Sequence, residues 1–352
     1  MRAALKTADG RFQVTEVERP IIPTGDFVLA RVRVAGICGT DLRHWNKAEP
    51  ELECHIVGHE LAGEVVEVGA DVTNLKPGDR VVIETVMGDG VCPYCRIQRY
   101  NICEHLYDVR TKYVSRAYGE FVCGPQSKFY PLPDHVSFEE AALIDTFSVC
   151  LHAHHRAGVG VNQKIAIIGA GPIGLGQLQL AKLSGADVLI VDRVASSLEL
   201  ATKLGADVVV DTSKGEDVLE RVLAFAGERG ADVCFECAGG ESMAETLPLA
   251  TKLARRGGKV VVVGGFDAGE LSIPLEWQRI QMSEIEIVMS ASFAFHDIYP
   301  EQGMVLQLLA DGKLDAASLI THRFDLDHIN DAFETADAKE TTGAVFVAIT
   351  IS

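Results

Sequence analysis

Residues 164–192 read KIAIIGAGPIGLGQLQLAKLSGADVLIVD. An apolar run leads directly into Gly169-Ala170-Gly171-Pro172-Ile173-Gly174, followed by an amphipathic stretch and a second apolar run that ends in Asp192. The order is strand, glycine turn, helix, strand. Glycines at 169, 171 and 174 let the backbone approach a pyrophosphate, whose charge is met by the free N–H groups of the helix start that follows; Pro172, which has no N–H, suits the first helical position, and Ile173 and Gly174 come next. Asp192 ends the second strand, where a carboxylate accepts hydrogen bonds from an adenosine ribose. It also repels a ribose 2'-phosphate and so favours NAD over NADP, with Arg193 beside it partly offsetting that repulsion.

Working outward, similar units continue as far as KVVVVGG at 259–265. Alternating β and α segments predict a doubly wound parallel sheet covered by helices. Upstream the character differs. FVLARVRVAG (27–36) and ELAGEVVEVG (60–69) are β-branched and glycine-punctuated, which predicts a β-rich first segment to about Pro133. At Ser137 a Ser-x-x-Glu capping box with Glu140 predicts a helix start, with the helix closed near Gly158. From about Ser290 the βαβ rhythm stops. The chain is therefore read as α/β with two domains: residues 149–290 bind the dinucleotide, and 291–352 rejoin 1–148.

A chain of 352 residues has length for about two domains. Its formal net charge of -18 disfavours nucleic acid and anionic membrane surfaces as partners. No apolar run reaches the length of a membrane span and the N-terminus has no signal-peptide core, so a cytoplasmic location is expected.

Nine cysteines, three of them crowded into GDGVCPYCRIQRYNIC (88–103), point to metal or thiol chemistry rather than disulfides. Cys92, Cys95 and Cys103 have the spacing of a zinc loop lacking its first ligand. Two residues intervene between Asp89 and Cys92, as between Cys92 and Cys95, and a carboxylate is an acceptable fourth ligand. Cys234 and Cys237 form a second CxxC, but DVCFECAGG reads as a strand entering a turn, which favours core packing over redox chemistry.

CGTD (38–41), GHE (58–60), the cysteine loop and GAGPIG occur in this order in zinc-dependent medium-chain alcohol and polyol dehydrogenases, and the whole chain resembles that family. ALIDTFSV (142–149) and LITHRF (319–324) resemble its sorbitol, sugar and threonine dehydrogenase branch. The resemblance implies a GroES-like β-rich catalytic domain beside the Rossmann domain. It implies a catalytic zinc on Cys38, His59, Glu60 and Asp145, with Asp41 accepting from the His59 ring. It also implies a structural zinc on Asp89, Cys92, Cys95 and Cys103, two zinc ions per chain, NAD as cofactor, and a homotetramer or homodimer. His152, His154 and His155 are read as packing or exposed residues, not ligands.

In the family, the proton of the alcohol leaves through the Ser/Thr of the CGTD motif, here Thr40, toward a histidine five residues after the cysteine. This chain departs there: position 43 is Arg43, which does not act as a base near neutral pH, and His44 follows it. It departs again in ASFAFHD (291–297), where sorbitol-type enzymes carry a polyol-binding arginine and this chain has Ala294. Phe293 and Phe295 offer either a ring face to substrate or packing. The expected activity is hydride transfer to NAD from a secondary alcohol of a polyol, cyclitol or sugar. An L-threonine-like amino-alcohol dehydrogenase is the alternative; a non-catalytic nucleotide-binding member of the fold is a third reading.

Overall fold

The computed structural model describes residues 1–48, 55–106, 116–265 and 271–352. The chain divides into two compact units. One comprises residues 1–145, 293–312 and 316–352; the other comprises 146–292 and 313–315.

The second unit is built on six parallel strands in the spatial order Val208–Asp211, Asp187–Asp192, Lys164–Ile168, Ala231–Glu236, Ala254–Val262, Glu286–Met289. Counted along the chain from Lys164–Ile168, this order is 3-2-1-4-5-6, the doubly wound arrangement whose carboxyl edge binds dinucleotides. The strands are near-continuous apolar runs because helices cover both faces. Ile168, Leu189, Val191, Val222, Leu247, Val260 and Val262 pack into one cluster.

In the first unit a seven-stranded sheet is organised on Phe27–Gly36, which pairs antiparallel with Glu60–Val68, Phe121–Pro125 and Phe346–Thr350. Its core gathers Val28, Val32, Leu61, Val65, Val81, Ile83 and Ile349 around Phe333. Trp45 anchors the helix Gly39–His44 that precedes it. Its ring stacks on Phe12 at 5.9 Å and tilts against Phe333 at 5.0 Å, and aromatic pairs of this kind are worth about 0.5–1.5 kcal/mol beyond the area they bury.

The Ser137 capping box forms as the sequence predicts, with Glu140 accepting from Ser137 N–H at 2.9 Å and Ser137 Oγ from Glu140 N–H at 3.1 Å. The single helix expected after it is two, Phe138–Ala142 and Ile144–Ala157. The break falls at Leu143, whose N–H turns back to Glu140 O at 3.2 Å and tightens the turn. Among the described residues no helix is long and apolar enough to cross a membrane.

Candidate functional site

Three ligand-bearing side chains converge in the first unit: the Cys38 Sγ, one His59 ring nitrogen and one Glu60 carboxylate oxygen lie within 4.8 Å of one another. Strand register brings them together. Gly36, two residues before Cys38, pairs with Glu60 at the start of its strand. A Cβ at Gly36 would lie 2.5 Å from Glu60 Oε2 and would run into the Phe346 ring, so only glycine leaves room for the carboxylate. Gly58, at φ +90°, turns the chain into His59 in a conformation that side chains disfavour.

The surroundings orient the set. Asp41 Oδ2 accepts from Cys38 N–H at 3.1 Å and from the buried Tyr118 hydroxyl at 2.9 Å, while Asp41 Oδ1 lies 3.6 Å from His59 Nδ1. The opposite ring nitrogen, Nε2, is 3.3 Å from Thr40 Oγ1. Nδ1 thus faces an acid and Nε2 a hydroxyl, contacts that hold the ring in one orientation. Burial, then the negative charges of Glu60 and Asp41, push the Cys38 thiol well up. A divalent cation reverses that balance, because it stabilises the thiolate and offsets the clustered acids. A sulfur, a nitrogen and an oxygen this close fit zinc.

Asp145 is buried in the first turn of Ile144–Ala157 and does not belong to the close group of three. His44 closes the helix Gly39–His44 and lines a cavity of about 30 Å³ with Lys6, Phe12, Asp41 and Val57. Phe293 is fully buried, so its ring serves packing and offers no face to substrate; Phe295 meets Tyr100 edge-on at 6.1 Å. His152 and His154 are buried, and His154 Nε2 lies 2.8 Å from Ser184 Oγ.

Asp89, Cys92, Cys95 and Cys103 form a second group within 4.8 Å. Cys92 and Cys103 sulfurs are 3.9 Å apart, too far for a disulfide. Two thiolates on one tetrahedral zinc, with Zn–S near 2.3 Å, stand about 3.8 Å apart. Asp89 Oδ1 accepts from Cys92 N–H at 2.9 Å and Val91 N–H at 2.8 Å. Those two amides lower its carboxyl to about 2, so it is ionised and its second oxygen is available to a metal. Gly88 is needed here too, since a Cβ would strike the Cys95 sulfur and lie 2.9 Å from Tyr100 Cβ. Tyr100, between the second and third cysteines, donates to the buried Glu84 at 2.6 Å, as do Tyr130 and Lys128, each at 2.7 Å. Sequence reading had no signal for Tyr118 or Glu84, whose partners are brought to them by the tertiary fold.

In the second unit Gly169 has φ +101° and Gly174 packs against its carbonyl, where no side chain fits. A Cβ at Gly171 would meet nothing within 4 Å, leaving its face open to a ligand. Pro172 occupies the first position of the helix Pro172–Leu183 and Ile173 the second. Asp192 accepts from Ala170 N–H at 2.5 Å, Arg193 N–H at 2.7 Å and Val194 N–H at 2.9 Å. The acid is therefore tied to the glycine turn, a link the sequence did not disclose.

Residues 24–134 match the alcohol dehydrogenase GroES-like domain, and residues 172–309 match the zinc-binding dehydrogenase domain. The chain is 35% identical over 341 residues to sorbitol dehydrogenase of Bacillus subtilis, covering 96% of this chain and 93% of that protein. Among solved structures it resembles alcohol dehydrogenase TADH from Thermus sp. ATN1 at 31% identity and TM-score 0.87, with both chains fully covered. A Sinorhizobium meliloti protein solved with NADP bound matches at 31% identity and TM-score 0.88, over 99% of this chain and 98% of that one. A glycine-turn parallel sheet, a Cys-His-Glu cluster on a GroES-like domain and these full-length likenesses have one explanation: the chain is an oxidoreductase of the zinc-dependent medium-chain polyol dehydrogenase family.

Proposed function

We propose that this enzyme oxidises a secondary hydroxyl of a polyol, cyclitol or sugar, with NAD as hydride acceptor. The convergence of Cys38, His59 and Glu60 beside the Thr40 hydroxyl carries the reading. These three residues would hold the catalytic zinc, with Asp145 as a further acid near the helix start. A zinc there supplies Lewis-acid chemistry, favouring negative charge on the alcohol oxygen. Asp41, held by Cys38 N–H and Tyr118, keeps the His59 ring in place. Thr40 accepts the hydroxyl proton while donating its own, and His44 is proposed as the later acceptor. On the other unit, Gly169, Gly171, Pro172, Ile173 and Gly174 would seat the pyrophosphate, while Asp192 and Arg193 would read the ribose. The net reaction moves a hydride from the carbinol carbon to NAD and a proton to solvent.

The substrate class follows from charge and from relatives. A zinc on a thiolate and one or two carboxylates is nearly neutralised, so a neutral alcohol enters more easily than a further anion. Sorbitol dehydrogenase of Bacillus subtilis, similar over nearly the whole chain, supports a polyhydroxy substrate. Ala294 is buried, with its N–H on Glu301 at 3.0 Å, so Arg43 and His44 are the proposed hydroxyl-binding groups. A kcat/KM screen over polyols, cyclitols, sugars, amino alcohols and simple alcohols tests this. Polyhydroxy compounds should exceed ethanol by roughly a hundredfold, since extra hydroxyls position the substrate. A preference for L-threonine or ethanol would overturn the substrate class and leave the metal and nucleotide assignments standing.

For the cofactor, Asp192→Ala should raise the NADP-to-NAD ratio of kcat/KM by about tenfold, through loss of the charge that repels a 2'-phosphate. An unchanged ratio would mean that Asp192 serves only the glycine turn. A homodimer or homotetramer is supported by the end strand Glu286–Met289, where Met289 is 63% exposed and Trp277 and Met282 on the preceding helix are each 67% exposed. A cytoplasmic location is supported by free thiols at Cys150 and Cys234.

A further inference from the structure

The carboxyl ends of the parallel strands share one edge. Glu236 stands on it in register with Ile168, the residue before Gly169, and with Val262. It is fully buried. One oxygen, Oε1, accepts from Ala238 N–H at 3.1 Å, Gly239 N–H at 3.0 Å and the Thr246 hydroxyl at 2.8 Å. The other, Oε2, is buried without a hydrogen-bond partner among the described residues and fills the space beside Gly264, where a Cβ would fall 2.5 Å from it.

The turn that Glu236 grips at 237–240 is stitched to both neighbours: Cys237 N–H donates to Ile168 O at 2.8 Å and Gly240 N–H to Gly265 O at 2.8 Å. It is also the wall of the glycine turn, since a Cβ at Gly169 would lie 2.9 Å from Ala238 N. A buried carboxyl with one oxygen unsatisfied is an expensive way to fill space. What it gains is three donors on Oε1, all in the turn or the helix that follows.

We propose that Glu236 is a positioning residue for the dinucleotide: through Oε1 it fixes the 237–240 turn against Gly169 and so shapes the backbone surface on which the cofactor lies. The inference rests on the nucleotide reading of residues 169–174 and adds to it a group outside the motif. Glu236 acts through backbone amides, so its removal should change cofactor affinity and leave alcohol binding nearly unaltered.

The test is NADH fluorescence titration of the full-length enzyme with Glu236→Ala and Glu236→Gln, alongside KM for NAD and for the alcohol. Glu236→Ala should raise the NADH Kd and the KM for NAD by about tenfold or more, with the alcohol KM within about twofold. Glu236→Gln keeps an acceptor oxygen for the three donors and should stay within about threefold of wild type. A Glu236→Ala Kd within twofold of wild type, or equal damage in both variants, would overturn the proposal. Should Glu236→Ala not fold, Thr246→Val removes one donor and should raise the NADH Kd about two- to fivefold; no change there also overturns it. Wild-type enzyme that binds neither NADH nor NADPH would end the nucleotide reading and this inference with it, whereas normal wild-type binding with unaffected variants ends this inference alone.

Discussion

Cys38→Ala and His59→Ala are each expected to lower kcat/KM by at least about a thousandfold while NADH still binds with near wild-type affinity. The size follows from the proposed role of the two residues as zinc ligands. Several kcal/mol of charge stabilisation at the alcohol oxygen depends on a cation at this spot, and a site left with one strong ligand and a carboxylate does not retain it. The two variants should differ in detail. Cys38→Ala leaves Glu60 and Asp41 as clustered acids with no thiolate, whereas His59→Ala also removes the partner of Thr40 Oγ1 at 3.3 Å. Metal analysis, steady-state kinetics and NADH titration separate the effects. Turnover within tenfold of wild type in either variant would sink the catalytic assignment, and loss of NADH binding would show that the damage is not confined to the metal set.

If Asp89, Cys92, Cys95 and Cys103 hold a second zinc, as we propose, Cys95→Ser and Asp89→Ala should each release one zinc equivalent, lower the Tm by about 5 °C or more, and leave kcat within about threefold. In this reading the metal would work on folding. Among the described residues the lobe holds the short helix Pro93–Arg96 and a single turn at Tyr100–Ile102, and its outer residues Val91, Tyr94 and Ile97 are exposed. So small an element has little core of its own and depends on cross-links. Tyr100 also ties the lobe to Glu84, with burial and the Glu84 charge pushing the Tyr100 hydroxyl up and keeping it a donor. Asp89→Ala should cost more than its ligand role alone, because the Val91 and Cys92 amides also lose their acceptor. Retention of both metals by either variant would contradict the four-ligand assignment, and loss of all activity with the Cys38 metal in place would contradict the independence of the lobe.

The features legible in the sequence are those set by chemistry within a few residues. The glycine turn could be read because Gly169 needs a positive φ, Gly174 must pack on a carbonyl, and both lie in one short stretch between strand and helix. The Ser137 box could be read because its two hydrogen bonds close over three residues. The cysteine lobe could be read from spacing, even with aspartate in the first place, because a short loop leaves its four ligands few ways to diverge. Alternating strands and helices likewise fixed the parallel sheet.

Tertiary structure decided whatever depends on which strands lie side by side. Gly36 meets Glu60 only because an antiparallel register pairs them, so an ordinary-looking glycine becomes the residue that leaves room for the Glu60 carboxylate. Tyr118 reaches Asp41 across 77 residues, and Glu84 takes a phenol from the lobe and another from Phe129–Pro131. Phe293 went to the core, where its apolar ring is removed from water. Glu236 looked like one more strand residue until its register beside Ile168 and its hold on Ala238 and Gly239 tied it to the wall of the glycine turn. Local sequence sets turns, caps and ligand spacing because their hydrogen bonds close within one turn of chain, but partners for a buried carboxylate or hydroxyl are chosen by register, and register is settled only when the whole sheet buries its apolar face.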